Sequence, residues 1–173
     1  MSSLPVSLTL IAKDEQVMTH IAQALAKFMP SKAIVFLDAD LGMGKSFLTR
    51  EIIRSFGYSG AIKSPTYTLV EPYHGEKQNV LHFDLYRLSD PEELEFIGIW
   101  DYLSEDAISF IEWPDKATGV LPKADLLIEI TDYEAGRQLV FTAQTEQMQQ
   151  TLEQTRQWLS KHKDVIHLTT DFK

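Results

Sequence analysis

Val6, Leu8 and Leu10 alternate with Ser7 and Thr9, the two-residue period of a strand with one covered face. Val17, Met18, Ile21, Ala22, Leu25, Phe28 and Met29 then recur at helical spacing, and Pro30 closes that helix. Residues 33–37 form an unbroken apolar run, the pattern of a parallel strand covered on both faces. Phe47, Leu48, Ile52, Ile53 and Phe56 predict a second amphipathic helix, stopped by a left-handed residue at Gly57.

Residues 67–73 and 80–86 read as two strands joined in a hairpin through the turn-rich Gly75-Glu76-Lys77-Gln78-Asn79. Asp90-Pro91-Glu92-Glu93 opens a helix: Asp90 can cap it, Pro91 suits its first position, and the two acids favour the positive end of its dipole. Gly98 ends it. Residues 107–111 are a second buried apolar run, followed by Glu112-Trp113-Pro114, where Pro114 has no amide to continue a ladder. A strand pair over 125–130 and 138–143 and a helix over 145–162, with Met148, Leu152, Trp158 and Leu159 as its apolar face, complete the order. This succession predicts an α/β fold, a single three-layer domain of the P-loop NTPase type. Its central sheet should be mixed and largely parallel, with antiparallel hairpins. The domain is expected over residues 1–160, with 161–173 as a tail.

The turn after the first buried run carries the chemistry. A phosphate loop asks for glycine, four residues, then Gly-Lys-Ser/Thr. Ala39 replaces the first glycine, and Gly44, Lys45 and Ser46 match. Within Asp40-Leu41-Gly42-Met43-Gly44-Lys45-Ser46, the glycines let successive amides turn inward around phosphates, because no Cβ blocks the backbone or the ligand's approach. Lys45 then reaches the β and γ phosphates of ATP. The Ser46 hydroxyl ligates Mg2+, and the following helix offers free amides to the anion. Ala39 is tolerable if it leaves the strand with negative φ.

A second acid is needed on a neighbouring strand to hold the magnesium ion, directly or through water. Glu112 suits this role at the end of a buried run, where the crevices of parallel sheets open. In His82-Phe83-Asp84-Leu85-Tyr86-Arg87 the alternation puts His82, Asp84 and Tyr86 on one face. Asp84 has two readings: it orients water or binds magnesium, or it makes a hydrogen bond within its hairpin or to Arg87. Ser64-Pro65-Thr66-Tyr67-Thr68 also has two, hydroxyls for the γ phosphate or plain turn chemistry.

Composition narrows the function further. Of 173 residues, 44% are hydrophobic and 24% charged, as in a soluble globular chain. There is no cysteine, which excludes disulfides, thiolate metal sites and a thiol nucleophile. The five histidines lack paired metal-ligand spacing. A net charge of −9 leaves no basic footprint for nucleic acid, so any role on RNA falls to a partner. No basic and apolar leader and no membrane-length apolar run is present, so a cytoplasmic location without membrane association is expected. Two other nucleotide functions fit less well. A small-molecule kinase needs an arginine-rich lid, whereas the arginines are scattered. A GTP-driven switch acting as a binding module needs a guanine signature, which Pro122-Lys123-Ala124-Asp125 approaches but with proline where a polar side chain is required.

Four motifs in order resemble the TsaE family of bacterial ATPases in tRNA threonylcarbamoyladenosine biosynthesis. They are the phosphate loop, Lys63-Ser64-Pro65-Thr66-Tyr67-Thr68-Leu69-Val70-Glu71-Pro72-Tyr73, His82-Phe83-Asp84-Leu85-Tyr86-Arg87-Leu88, and Ile111-Glu112-Trp113-Pro114. The resemblance extends to about Arg137. It implies ATP hydrolysis in support of the threonylcarbamoyl transferase subunit (TsaD) and its dimerisation partner (TsaB), which modify adenosine 37 of tRNAs reading codons that begin with A. It further implies a switch-like segment around Thr66, a magnesium site at Ser46 and Glu112, a functional Asp84, and nucleotide contacts near Glu15 and Gly136. For those last two, a first-turn helix acid and a hairpin glycine are equally open readings. The chain departs from the family pattern at Ala39, Ser46 and Met43, where glycine, threonine and a small residue are usual.

Overall fold

The computed structural model describes residues 5–162. The proposed tail therefore lies almost wholly outside the described residues. Seven strands, β1 (Val6–Ala12), β2 (Ala33–Asp38), β3 (Val70–His74), β4 (Asn79–Asp84), β5 (Ile108–Glu112), β6 (Leu126–Tyr133) and β7 (Gly136–Ala143), form one sheet in the order β1-β7-β6-β2-β5-β4-β3. The four inner strands β6, β2, β5 and β4 run parallel. β7 and β1 extend one side and β3 the other, all by antiparallel pairing. The sheet is thus mixed with a parallel centre, as the two continuous apolar runs imply.

Helices α1 (Glu15–Phe28), α2 (Lys45–Ser55) and α5 (Glu146–Ser160) cover one face. Their apolar residues, among them Ile21, Leu25, Leu48, Ile52 and Leu152, join Val35, Leu37 and Phe110 of the sheet in one core. Two short helices, α3 (Glu93–Phe96) and α4 (Ile99–Ser104), and a 3-10 turn over Pro114–Ala117 cover the other. There Leu94, Ile99, Leu103 and Ala117 pack with Leu81, Phe83 and Ile111. Side chains cap α1 and α5: Asp14 accepts the Val17 amide at 2.9 Å and Thr145 that of Met148 at 3.2 Å.

Several local expectations change. The strand expected from Tyr67 begins only at Val70, because Pro65 to Thr68 form a turn and the Leu69 amide bonds the Pro65 carbonyl at 2.8 Å. Leu69 itself takes φ 70, which breaks the extended run. At the end of β4, the Asp84 carboxylate takes the Tyr86 amide at 3.0 Å, and this local bond ends the strand two residues early. Gly98, at φ 75, separates α3 from α4 and serves as the N-terminal residue of the second helix. Asp90 accepts the Glu92 amide at 2.9 Å, but α3 begins only at Glu93, with Glu92 at its cap position and no side chain capping it, so Asp90 and Pro91 lie ahead of the helix they were expected to open.

Gly136 has a steric reason to be glycine. It begins β7 where that strand meets the β1–α1 junction, and a Cβ there would stand 2.3 Å from the Ala12 carbonyl oxygen. Neither backbone can yield cheaply. Gly136→Ala is expected to cost about 1–3 kcal/mol through overpacking, a fall in Tm of roughly 2–4 °C per kcal/mol for a chain of this size. Thermal melts followed by circular dichroism check it, and an unchanged Tm would refute the close approach.

Candidate nucleotide site

Register assembles the site. Leu37 of β2 pairs with Glu112 of β5, and Glu112 pairs with Asp84 of β4, so three parallel strands end side by side. β2 runs directly into the phosphate loop, and Ala39 is not among the residues with positive φ, as its tolerance requires. Gly44 takes φ 104, a conformation that costs a side chain dearly and glycine little, and it turns the chain into α2. No side chain caps that helix, so its first amides are free to meet an anion.

A cleft of about 380 Å³ lies over this turn, lined by residues 41–47, Ser64, Thr66, Asp84, Tyr86, Arg87, Glu112 and Trp113. Lys45 is only 6% exposed. Its ammonium bonds the carbonyls of Ala39 and Asp40, the latter at 3.0 Å, and lies 4.4 Å from the centre of the Trp113 ring. Burial lowers its pKa, opposed by the charges of Glu112, Asp84, Asp38 and Asp40. The Ser46 hydroxyl donates to Glu112 Oε1 at 3.2 Å. Thr66 donates to Asp84 Oδ2 at 3.2 Å and shares a 2.7 Å hydroxyl contact with Ser64. The hairpin-bond reading of Asp84 and its placement in the cleft therefore both hold: one oxygen takes the Tyr86 amide while the other faces Thr66.

Burial, and after it the Glu112 charge, raise the Asp84 pKa against the lowering effect of the Tyr86 amide, the Thr66 hydroxyl and His82. The fold thus favours the protonated acid. Below the ordinary carboxylate range both folded and unfolded states carry the proton and nothing is lost. As pH rises past it, the buried charge costs stability. Asp84→Asn should therefore raise the Tm of the ligand-free protein near neutral pH, with the gain vanishing toward about pH 4. Melts of both proteins across that range test this, and a gain independent of pH would contradict it.

A second cleft of about 210 Å³ adjoins the first, lined by residues 12–15, Met18, residues 42–44, Phe47 and residues 135–137. It brings Glu15 and Gly136 to the phosphate loop although 121 positions of sequence, from 15 to 136, separate them. It also shows what the scattered arginines concealed. Arg137 bonds the carbonyls of Met43 at 3.3 Å and Gly42 at 3.4 Å, braced by Asp132 at 2.8 Å. Arg137 pairs with Ala12 of β1 and with Asp132 of β6, which places it there, and no local pattern announces the pairing with β1. Arg87 stands at the first cleft, 4.3 Å over the Tyr67 ring. Tyr67, under that guanidinium, is 83% exposed, and Trp100 on α4 is 54% exposed. Asp125 of the guanine-like segment binds the Ile34 amide at 2.8 Å and is spent on fastening β6 to β2.

The donors at Ser46 are oxygen, its own hydroxyl and the Glu112 carboxylate bonded to it, which is what a hard cation such as Mg2+ takes. No cluster of three or more His, Cys, Asp or Glu suited to a metal occurs among the described residues. A cation here would draw its remaining ligands from phosphate and water.

The family model described as "Threonylcarbamoyl adenosine biosynthesis protein TsaE" matches residues 12–139, a span that contains both clefts. The chain belongs to the TsaE family. The TsaE protein of Haemophilus influenzae is 51% identical over 125 residues, covering 72% of this chain and 79% of its own. That of Rickettsia felis is 36% identical, covering 71% and 73%. Both are named as tRNA threonylcarbamoyladenosine biosynthesis proteins. A crystal structure of YdiB from Bacillus subtilus superposes with a TM-score of 0.76 over 90% of this chain and 98% of that one, at 22% identity, and so shares the fold. Among the described residues, no helix is long and apolar enough to cross a membrane.

Proposed function

We propose that this chain binds ATP with Mg2+ and hydrolyses it in support of the tRNA threonylcarbamoyladenosine biosynthesis that the TsaE family serves. The observation that carries the reading is the convergence of Lys45, Ser46, Thr66, Asp84 and Glu112 on one cleft at the uncapped start of α2. The amides of residues 41–46 cradle the phosphates, and Lys45 exchanges its carbonyl partners for phosphate oxygens. Ser46 and Glu112 would hold the cation, whose positive charge, when bound, would offset negative charge on the phosphates. Asp84, with Thr66 bonded to it, orients the attacking water. Glu15 and Gly136 bound the nucleotide on the far side of the loop.

In this reading the partners are the transferase subunit TsaD and its dimerisation partner TsaB, and tRNA is engaged through them in the cytoplasm. The net charge of −9 argues against direct capture of tRNA. Hydrolysis by the chain alone should be weak and should rise with the pair, since the segment 64–69 meets Asp84 through one hydroxyl bond and one backbone bond. ATP turnover is to be measured alone, with tRNA, and with the pair at fixed ionic strength, alongside repeated rounds of tRNA modification. Full activity alone, or no response to the pair in both assays, would refute a partner-completed ATPase.

A further inference from the structure

Directly behind Glu112 stands a polar side chain that the fold leaves unsatisfied. His82 lies within β4, opposite Phe110 of β5, and is 2% exposed. Both of its ring nitrogens lack a hydrogen bond. Nε2 nevertheless lies 3.3 Å from Glu112 Oε1, close enough for a bond but without the alignment one requires. Leaving a buried imidazole unpaired costs free energy that an apolar residue at the same place would not. The same Oε1 already accepts the Ser46 hydroxyl at 3.2 Å. One carboxylate oxygen thus sits between a donor that is engaged and a ring nitrogen that is close but idle.

We propose that His82 is a positioning residue for Glu112, whose Nε2–H becomes the donor to Oε1 once the Ser46 hydroxyl turns from Glu112 toward a bound cation. A small rotation of the buried carboxylate completes the exchange, so the count of hydrogen bonds to Glu112 is kept. The pairing requires the tautomer with its proton on Nε2. It supplies the outer-shell hydrogen bond that ligating carboxylates ordinarily have. This inference rests on the reading of Ser46 and Glu112 as the cation site.

The test measures Mn2+ affinity by electron paramagnetic resonance in the presence of a non-hydrolysable ATP analogue, and analogue affinity in EDTA, for the parent, Glu112→Gln, His82→Leu and His82→Gln. His82→Leu should bind Mn2+ about 10-fold more weakly while its metal-free analogue affinity stays at the parent value. His82→Gln, whose amide can donate from the place of Nε2, should recover most of the loss. A folded His82→Leu protein with parent Mn2+ affinity, or a glutamine variant as weak as the leucine one, overturns the assignment. Should His82→Leu not fold, His82→Asn replaces it, since its amide is too short to reach Oε1, and equality with His82→Gln overturns the proposal. If Glu112→Gln binds Mn2+ as the parent does, the reading of the cation site fails and this inference with it. If Glu112→Gln weakens binding and His82→Leu does not, only the role of His82 falls.

Discussion

Lys45→Ala is expected to abolish most affinity for Mg-ATP. Truncating one partner of a buried, charged hydrogen-bonded pair costs about 2–5 kcal/mol, and at about 1.4 kcal/mol per tenfold this is a loss of roughly 30-fold or more. The lysine is 6% exposed and its ammonium feels the charges of Glu112, Asp84, Asp38 and Asp40, whereas Arg87, also at the cleft, is exposed and stacked over Tyr67. Its carbonyl partners belong to half-buried Ala39 and exposed Asp40, which can turn to water, so the variant should still fold. Calorimetric titration with circular dichroism as the folding control decides it. A folded variant with unchanged affinity would remove the basis of the ATP reading.

Loss of either carboxylate should act on turnover rather than binding. Glu112→Ala and Asp84→Ala are each expected to lower kcat by about 100-fold to 10,000-fold, the range for losing a positioned acid–base or water-orienting group. Nucleotide affinity should change far less, because the loop amides and Lys45 remain. The two variants should also differ. Glu112→Ala removes the acceptor of Ser46 and should shift the metal requirement, whereas Asp84→Ala frees Thr66 and should leave it. Steady-state hydrolysis with the transferase pair at saturating ATP, across a magnesium titration, reads both effects. Parent rates in both variants would show that the acids serve only the fold.

Much of this site could be read from local sequence, because its parts follow from turn chemistry and strand ends. The apolar run at 33–37, the glycines at 42 and 44 and the lysine after them mark one place on the chain, and the structure puts α2 and the cleft there. Glu112 and Asp84 follow from the rule that parallel strands open at their C-terminal ends, and the register sets the two acids opposite each other. What stayed hidden depends on contacts between distant segments. Arg137 reaches the phosphate loop from β7, and Gly136 is pressed against Ala12, both consequences of the β1–β7 pairing. The strand expected from Tyr67 failed for the opposite reason: a local turn at Pro65 outweighed a pattern of β-formers. The α3–α4 break followed suit, since a glycine that ends one helix serves equally to begin the next.

The shared register of Leu37, Glu112 and Asp84 divides the cleft into an anvil and a striker. Adjacent strands in a sheet stand about 4.8 Å apart and are held by ladder bonds on both sides, so the backbone spacing of Glu112 and Asp84 is a fixed length that no nucleotide or partner can adjust cheaply. Opposite them, Ser64, Thr66 and Leu69 belong to no ladder. If the chain passes a signal between a nucleotide and another protein, as proposed, that segment is the part of the cleft opposite the acids free to carry it, while the acids keep station as the reference against which it is read.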